Sequence, residues 1–108
     1  MNIKKRIESL ETLVSEIKNM SHVERLMAYT AIKAILDEID AYVDEHESEH
    51  IGYCNAGIYI TEIYYPLESV VGLDDNGHSE SQNLSWIRTS IDKLRSGHCF
   101  NIPEISEC

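Results

Sequence analysis

No lysine or arginine occurs between Lys33 and Arg88, a stretch that covers half of the 108-residue chain. A surface without cations there cannot neutralise phosphates, so neither direct nucleic-acid binding nor adhesion to anionic membrane is expected. No apolar run approaches the roughly 18 residues that a bilayer span needs. The basic start MNIKKRIESLE leads into no apolar segment or small-residue cleavage site, so no signal peptide is expected. Cysteine is sparse and odd in number: Cys54, Cys99 and Cys108. That is no disulfide framework, and reduced thiols in a cytoplasmic protein are the expectation. Cys99 beside His98 is adjacency in sequence and does not define a catalytic pair. No glycine-rich phosphate loop occurs, and the acids of GLDDNGHSES lack the spacing and terminal glutamate of a calcium loop. No cofactor is expected.

Acid fills the space that base leaves. Asp37, Glu38, Asp40, Asp44, Glu45, Glu47, Glu49, Glu62, Glu68, Asp74, Asp75 and Glu80 all fall between Lys33 and Arg88, and the formal charge of the chain is −10. Such a field favours solubility and attracts basic surfaces. The hydrophobic share of 43% fits a globular chain with one real core.

The apolar spacing predicts a small antiparallel bundle of about four helices in a single domain, 1–108, with an irregular tail over 98–108. Ile3, Ile7, Leu10, Val14 and Ile17 recur four and three apart on one helical face, with Asn2 as a candidate cap. Two heptads are too few for a coiled coil, so this face is read as core; a homodimer seam along it is the alternative. Ser21 and Glu24 form a capping box that opens a second helix. Its stripe reads Ala28, Ile32, Ile35, Ile39 and Tyr42, flanked by Leu36 and Val43. That helix is expected to run to about residue 46 or somewhat beyond. Residues 51–73 read in two ways. GIYITEIYY and ESVVGL suit a hairpin and an α+β fold. The same segment also suits helical turns broken by Pro66, and helix is preferred because a lone hairpin is marginal. DDNGHSES is a loop, with Ser79 or Ser81 as the next cap. Leu84, Ile87, Ile91 and Leu94 mark the last helix, and Lys93, Arg95 and Gly97 suit its end.

His46-Glu47-Ser48-Glu49-His50 spells the H-E-x-x-H pattern of zinc proteases. That chemistry needs two histidines one helical turn apart and a glutamate that activates a metal-bound water. Here Asp44, Glu45 and Glu49 crowd the motif with solvated charge, and no third ligand sits at a familiar offset. The preferred reading is an acidic helix end without enzymatic activity. If the helix continued past Gly52, then His46, His50 and Cys54 would share a face and form a metal-binding alternative.

Five of the six tyrosines, Tyr42, Tyr53, Tyr59, Tyr64 and Tyr65, lie in the stretch without cations. Tyrosine gives broad apolar contact at low entropic cost, which suits an interface. Tyr42 is read as core. Tyr64 and Tyr65 cannot both face inward on one regular element. TEIYYPLE, with Tyr64-Tyr65-Pro66, resembles the Tyr-Tyr-Pro motif of immunity proteins against DNase-type colicins and pyocins. The order of parts is also similar: two longer helices, the Tyr-Tyr-Pro segment, the acidic loop LDDNGHSES and a last helix containing tryptophan, LSWIRTSIDKL. The chain departs from that family in the spacer IGYCNAGIYIT and in lacking its Ser-Gly-Ser-Asp lead-in. The resemblance implies a four-helix protein that binds a basic nuclease domain, with Tyr64 and Tyr65 as anchors ringed by acids.

The expected contact set is therefore Tyr64, Tyr65, Tyr59, Tyr53, Asp44, Glu45, Glu47, Glu49, Glu62, Glu68, Asp74 and Asp75. The expected partner is a basic protein such as a toxin or nuclease domain. A nucleic-acid mimic that counters a defence system, a zinc-binding protein and a plain helical interaction module or homodimer are the alternatives.

Overall fold

The spacing of apolar residues becomes four helices in the computed structural model, which describes residues 3–46 and 56–96. They are α1 (Ile3–Glu16), α2 (His22–His46), α3 (Ala56–Val70) and α4 (Glu80–Ser96), with a 3₁₀ turn at Ile17–Asn19 after α1. Each helix packs on its neighbours in a ring: α1 on α2, α2 on α3, α3 on α4 and α4 on α1. Pairings across the ring give the direction. Arg6 meets Glu38, Tyr64 meets Asp37, Ser90 meets Glu62, and Arg95 meets Glu11. Every neighbouring pair is thus antiparallel, an up-down-up-down bundle. Among the described residues no helix is long and apolar enough to cross a membrane.

The predicted stripes form the core. Ile3, Ile7, Leu10, Val14 and Ile17 are buried, as are Leu84, Ile87, Ile91 and Leu94. The 3–17 face is consumed inside the chain's own core, which removes it as a homodimer seam. In α2 the central stripe is Ala28, Ile32, Leu36, Ile39 and Val43. Ile35 and Tyr42, expected at its centre, sit half-buried at its margin instead. The helix is wedged between α1 and α3, and such a wedge buries a stripe wide enough to take in both sets.

The hairpin alternative for 51–73 is replaced by α3, whose Ile60, Ile63, Leu67 and Val70 are buried. Their spacing of three and four suits a helix and would scatter over both faces of a strand. Residues 51–55 lie outside the described residues, as do Asn2 and Gly97. Pro66 lies inside α3 and does not end it. It offers no N–H to the Glu62 carbonyl, and its buried ring packs on the α4 side. The helix ends four residues later in a Schellman motif. The Gly72 N–H donates to the Ser69 carbonyl at 3.2 Å and the Leu73 N–H to the Glu68 carbonyl at 2.9 Å. Gly72 supplies the required positive φ of 86°.

Of the expected caps, two lie within the described residues, and the Ser21–Glu24 box is complete. The Ser21 N–H donates to Glu24 Oε1 at 2.9 Å, and the Glu24 N–H donates to Ser21 Oγ at 3.2 Å. Those backbone and hydroxyl hydrogen bonds hold the Glu24 carboxyl below the usual carboxylate range. At α4 the cap is Ser79, not Ser81, with the Gln82 N–H donating to Ser79 Oγ at 3.1 Å.

Arg25, one turn into α2, ties three helix ends together. Its guanidinium donates to the carbonyls of Lys18 at 3.2 Å, Met20 at 3.3 Å and Val70 at 3.0 Å, and it pairs with Glu80 in the first turn of α4. Lysine keeps the charge but not the planar fork, so it cannot serve all four acceptors. Arg25→Lys is expected to cost about 2 kcal/mol, read as a lower urea midpoint at unchanged slope. A midpoint equal to that of the parent chain would mean that the packed stripes alone position these ends.

Candidate interaction face

Successive residues on a helix point about 100° apart, and Tyr64 and Tyr65 use that divergence. Tyr64 leans toward α2, half-buried, and its hydroxyl donates to Asp37 Oδ1 at 2.6 Å. That is the length of a charge-assisted O–H···O⁻ bond. Burial first, and then this bond to Asp37, push the Tyr64 phenol well above the ordinary tyrosine range. It therefore stays a neutral donor through all physiological pH. Tyr65 points outward and is 65% exposed. Ile58 lies two turns earlier on the same outward face and is 56% exposed. The two tyrosines do not both face inward, as the regular element requires.

On the α2 side of this crest, Asp37, Asp40 and Asp44 form one exposed row at helical spacing. Lys33 stands one turn before the row, but among the described residues no lysine or arginine is paired with Asp37, Asp40 or Asp44. Burial, and then the charges of Asp44 and Asp37, raise the Asp40 carboxyl above the usual carboxylate range. The row is thus a set of like charges held together against their repulsion. Glu38, on the other side of α2, is occupied by Arg6 at 3.0 Å. Glu68 accepts a long 3.5 Å contact from the Tyr29 hydroxyl, whose phenol is raised chiefly by burial and by the Glu68 charge.

On the α4 side of the crest lies a groove of about 490 Å³, walled by Tyr65, Pro66, Trp86, Thr89 and Lys93 and closed at one end by Asn76 and His78. Glu62 faces into it and accepts from the Ser90 hydroxyl at 3.3 Å. The His78 ring meets the Trp86 ring edge-on at 4.7 Å. Tyr59, half-buried against the core, belongs to this side as well, with the Lys93 ammonium 5.4 Å from its ring centroid.

The expected contact residues therefore fall on separate surfaces. Asp44, Tyr64 and Glu68 belong to the α2 side, and Glu45, two turns after Glu38, falls on the other flank of α2, whereas Tyr59 and Glu62 turn toward α4. Asp74 and Asp75 sit exposed in the loop after α3, where Asp75 Oδ1 accepts from the Gly77 N–H at 2.9 Å. Tyr53, Glu47 and Glu49 lie outside the described residues. Two residues absent from the sequence-based set matter here. Asp37 is the partner of Tyr64. Trp86, 39% exposed, stands off the Leu84–Ile87–Ile91–Leu94 stripe, and that offset was its signal.

The metal alternative rests on His46, His50 and Cys54, of which only His46 is described. Its Nδ1 lies 2.8 Å from the Tyr42 carbonyl, and its ring stacks on Tyr42 at 4.1 Å. Among the described residues no group of three or more His, Cys, Asp or Glu could hold a metal ion.

The acid row carries a stability consequence with a definite sign. A carboxyl whose folded pKa is raised contributes stability below its unfolded value of about 3.9 and loses it as pH rises through the folded value. Asp40→Asn is therefore expected to stabilise the protein at neutral pH. The gain should shrink as pH falls toward that value, and also in high salt. Thermal melts of both proteins across pH check this; destabilisation at neutral pH would reveal that the carboxylate is held by an attractive contact.

Comparison with known proteins finds no matching family model, curated protein or solved structure.

Proposed function

We propose that this chain is a small acidic inhibitor of the immunity type, which binds a basic protein such as a toxin nuclease domain and occludes it without chemistry. The observation that carries the reading is the row of Asp37, Asp40 and Asp44, unpaired with any described cation and set beside the tyrosine crest of α3. Like charges held together weaken a fold, and a cationic partner surface relieves that repulsion on docking. The resemblance to immunity proteins adds support. The Tyr-Tyr-Pro motif falls in the third helix, between an acid-bearing α2 and an acidic loop.

The division of labour follows from physics. Carboxylates act at long range and raise the association rate, by roughly 10–1000-fold in favourable cases. Aromatic anchors act at contact and slow dissociation, where most affinity differences reside. Tyr65 is the exposed anchor, and Tyr64 is locked in place by Asp37. A nucleic-acid mimic would use the same acid row, but the exposed Tyr65 and its neighbour Ile58 add apolar surface that a phosphate-binding site does not match.

The test starts from the basic protein that co-purifies with the chain, followed by binding kinetics against salt. Association should slow by roughly tenfold or more between low and high salt, with little change in release. Asp40→Asn with Asp44→Asn should reduce that salt dependence, while Tyr65→Ala should chiefly speed release. Binding that is indifferent to salt would refute the proposal.

A further inference from the structure

We infer that the groove between α3 and α4 is a socket for an arginine side chain of the basic partner, its guanidinium lying against the Tyr65 and Trp86 rings and paired with Glu62. This rests on the occlusion reading and specifies one contact within it. Tyr65 and Trp86 stand on facing helices at 65% and 39% exposure, so two aromatic surfaces line one opening. The His78 ring, edge-on to Trp86 at 4.7 Å, props the indole from the loop side. Glu62 is the carboxylate of the groove, and Ser90, only 3% exposed, fixes it with a hydroxyl donated at 3.3 Å.

Charge and solvation choose the occupant. An aliphatic or aromatic side chain seated here would strip water from Glu62 and leave the carboxylate with the Ser90 hydroxyl alone, which is costly. A cation supplies the missing donors. Arginine suits the site better than lysine because its planar, weakly hydrated guanidinium can stack on aromatic faces and still bond a carboxylate. Lys93 also lines the groove, but its ammonium is drawn to the Tyr59 ring, one helical turn of α3 away from Glu62 and further from Tyr65. A second copy of the chain is disfavoured, since each copy carries a formal charge of −10.

Trp86 is the chain's sole tryptophan, so its fluorescence and its indole N–H resonance report on the groove directly. The intact protein is titrated at low salt with N-acetyl-arginine amide, N-acetyl-lysine amide and N-acetyl-tyrosine amide. The arginine probe should give a saturable Trp86 shift at roughly fivefold lower concentration than the lysine probe. Glu62→Gln should weaken the arginine response by about tenfold. Tyr65→Ala should also weaken it, and because that residue is exposed its loss spares the core; circular dichroism confirms the fold of each variant. Equal responses to arginine and lysine, a response unchanged by Glu62→Gln, tighter binding of the tyrosine probe, or no shift at all would each overturn the socket. Salt-sensitive binding of a basic protein that persists unchanged in Glu62→Gln would sink the socket and leave the occlusion reading intact. An arginine-specific shift in a chain that binds its basic protein without regard to salt would do the reverse.

Discussion

One guanidinium holds the geometry on which the proposed interaction face depends. Arg25 collects the last carbonyls of the 3₁₀ turn, the carbonyl of Val70 at the end of α3 and the Glu80 carboxylate at the start of α4. Helix carboxyl ends carry unsatisfied acceptors and partial negative charge, while amino ends favour acids. A cation among two such ends, with its counter-ion on a third helix start, satisfies all of them at once. With its side chain only 17% exposed, Arg25 gains more from these bonds than a surface pair would. The alignment of α3 against α4, and so the width of the groove, is set at this end of the bundle. Buried Asn83 secures the intervening loop from the other side, accepting from Asn76 at 2.7 Å and donating to the His78 carbonyl.

Given that frame, α3 works as a ridge between two unlike surfaces. Its α2 flank meets a row of carboxylates through Tyr64, and its α4 flank opens an aromatic groove through Tyr65 and Pro66. Proline inside a helix normally costs stability through its missing N–H. Here it fixes a buried apolar surface against α4, next to an outward-pointing phenol. Tyr64 and Asp37 form the stiff part of the face, because the short bond between them immobilises a phenol that would otherwise lose rotamer freedom on binding. Rigid anchors of that kind lower the entropic cost of association.

Much of the bundle was legible in the sequence because helix formation is local. The 3–17 stripe, the Ser21–Glu24 box and the Leu84–Leu94 stripe are each written in residues three or four apart. What could not be read is tertiary. Leu36 and Ile35 differ by about 100° on the wheel, and only the positions of α1 and α3 decide which is central. Asp37 and Tyr64 are 27 residues apart, so no local pattern pairs them. The expected contact set, acids and tyrosines, was assembled as one patch. The helical repeat of α3 splits it, since Glu62 and Glu68 are six residues apart and point to opposite flanks. Beta-branched residues made 51–73 ambiguous, and burial against α2 and α4 resolved Ala56–Val70 as helix, tertiary context overriding propensity.

The split has a consequence for how such a face could discriminate. A carboxylate row alone would attract any basic surface, nucleases and ribosomal proteins alike, because Coulomb attraction at a distance reads only charge. Specificity needs contacts that fail when the partner is wrong. Glu62 offers one, for it is held in the groove by a single hydroxyl and is stranded without water if an apolar group covers it. A basic protein lacking a suitably placed cation would lose solvation there and gain nothing in return. The outer row would then govern how often encounters occur, and the inner carboxylate which encounters last.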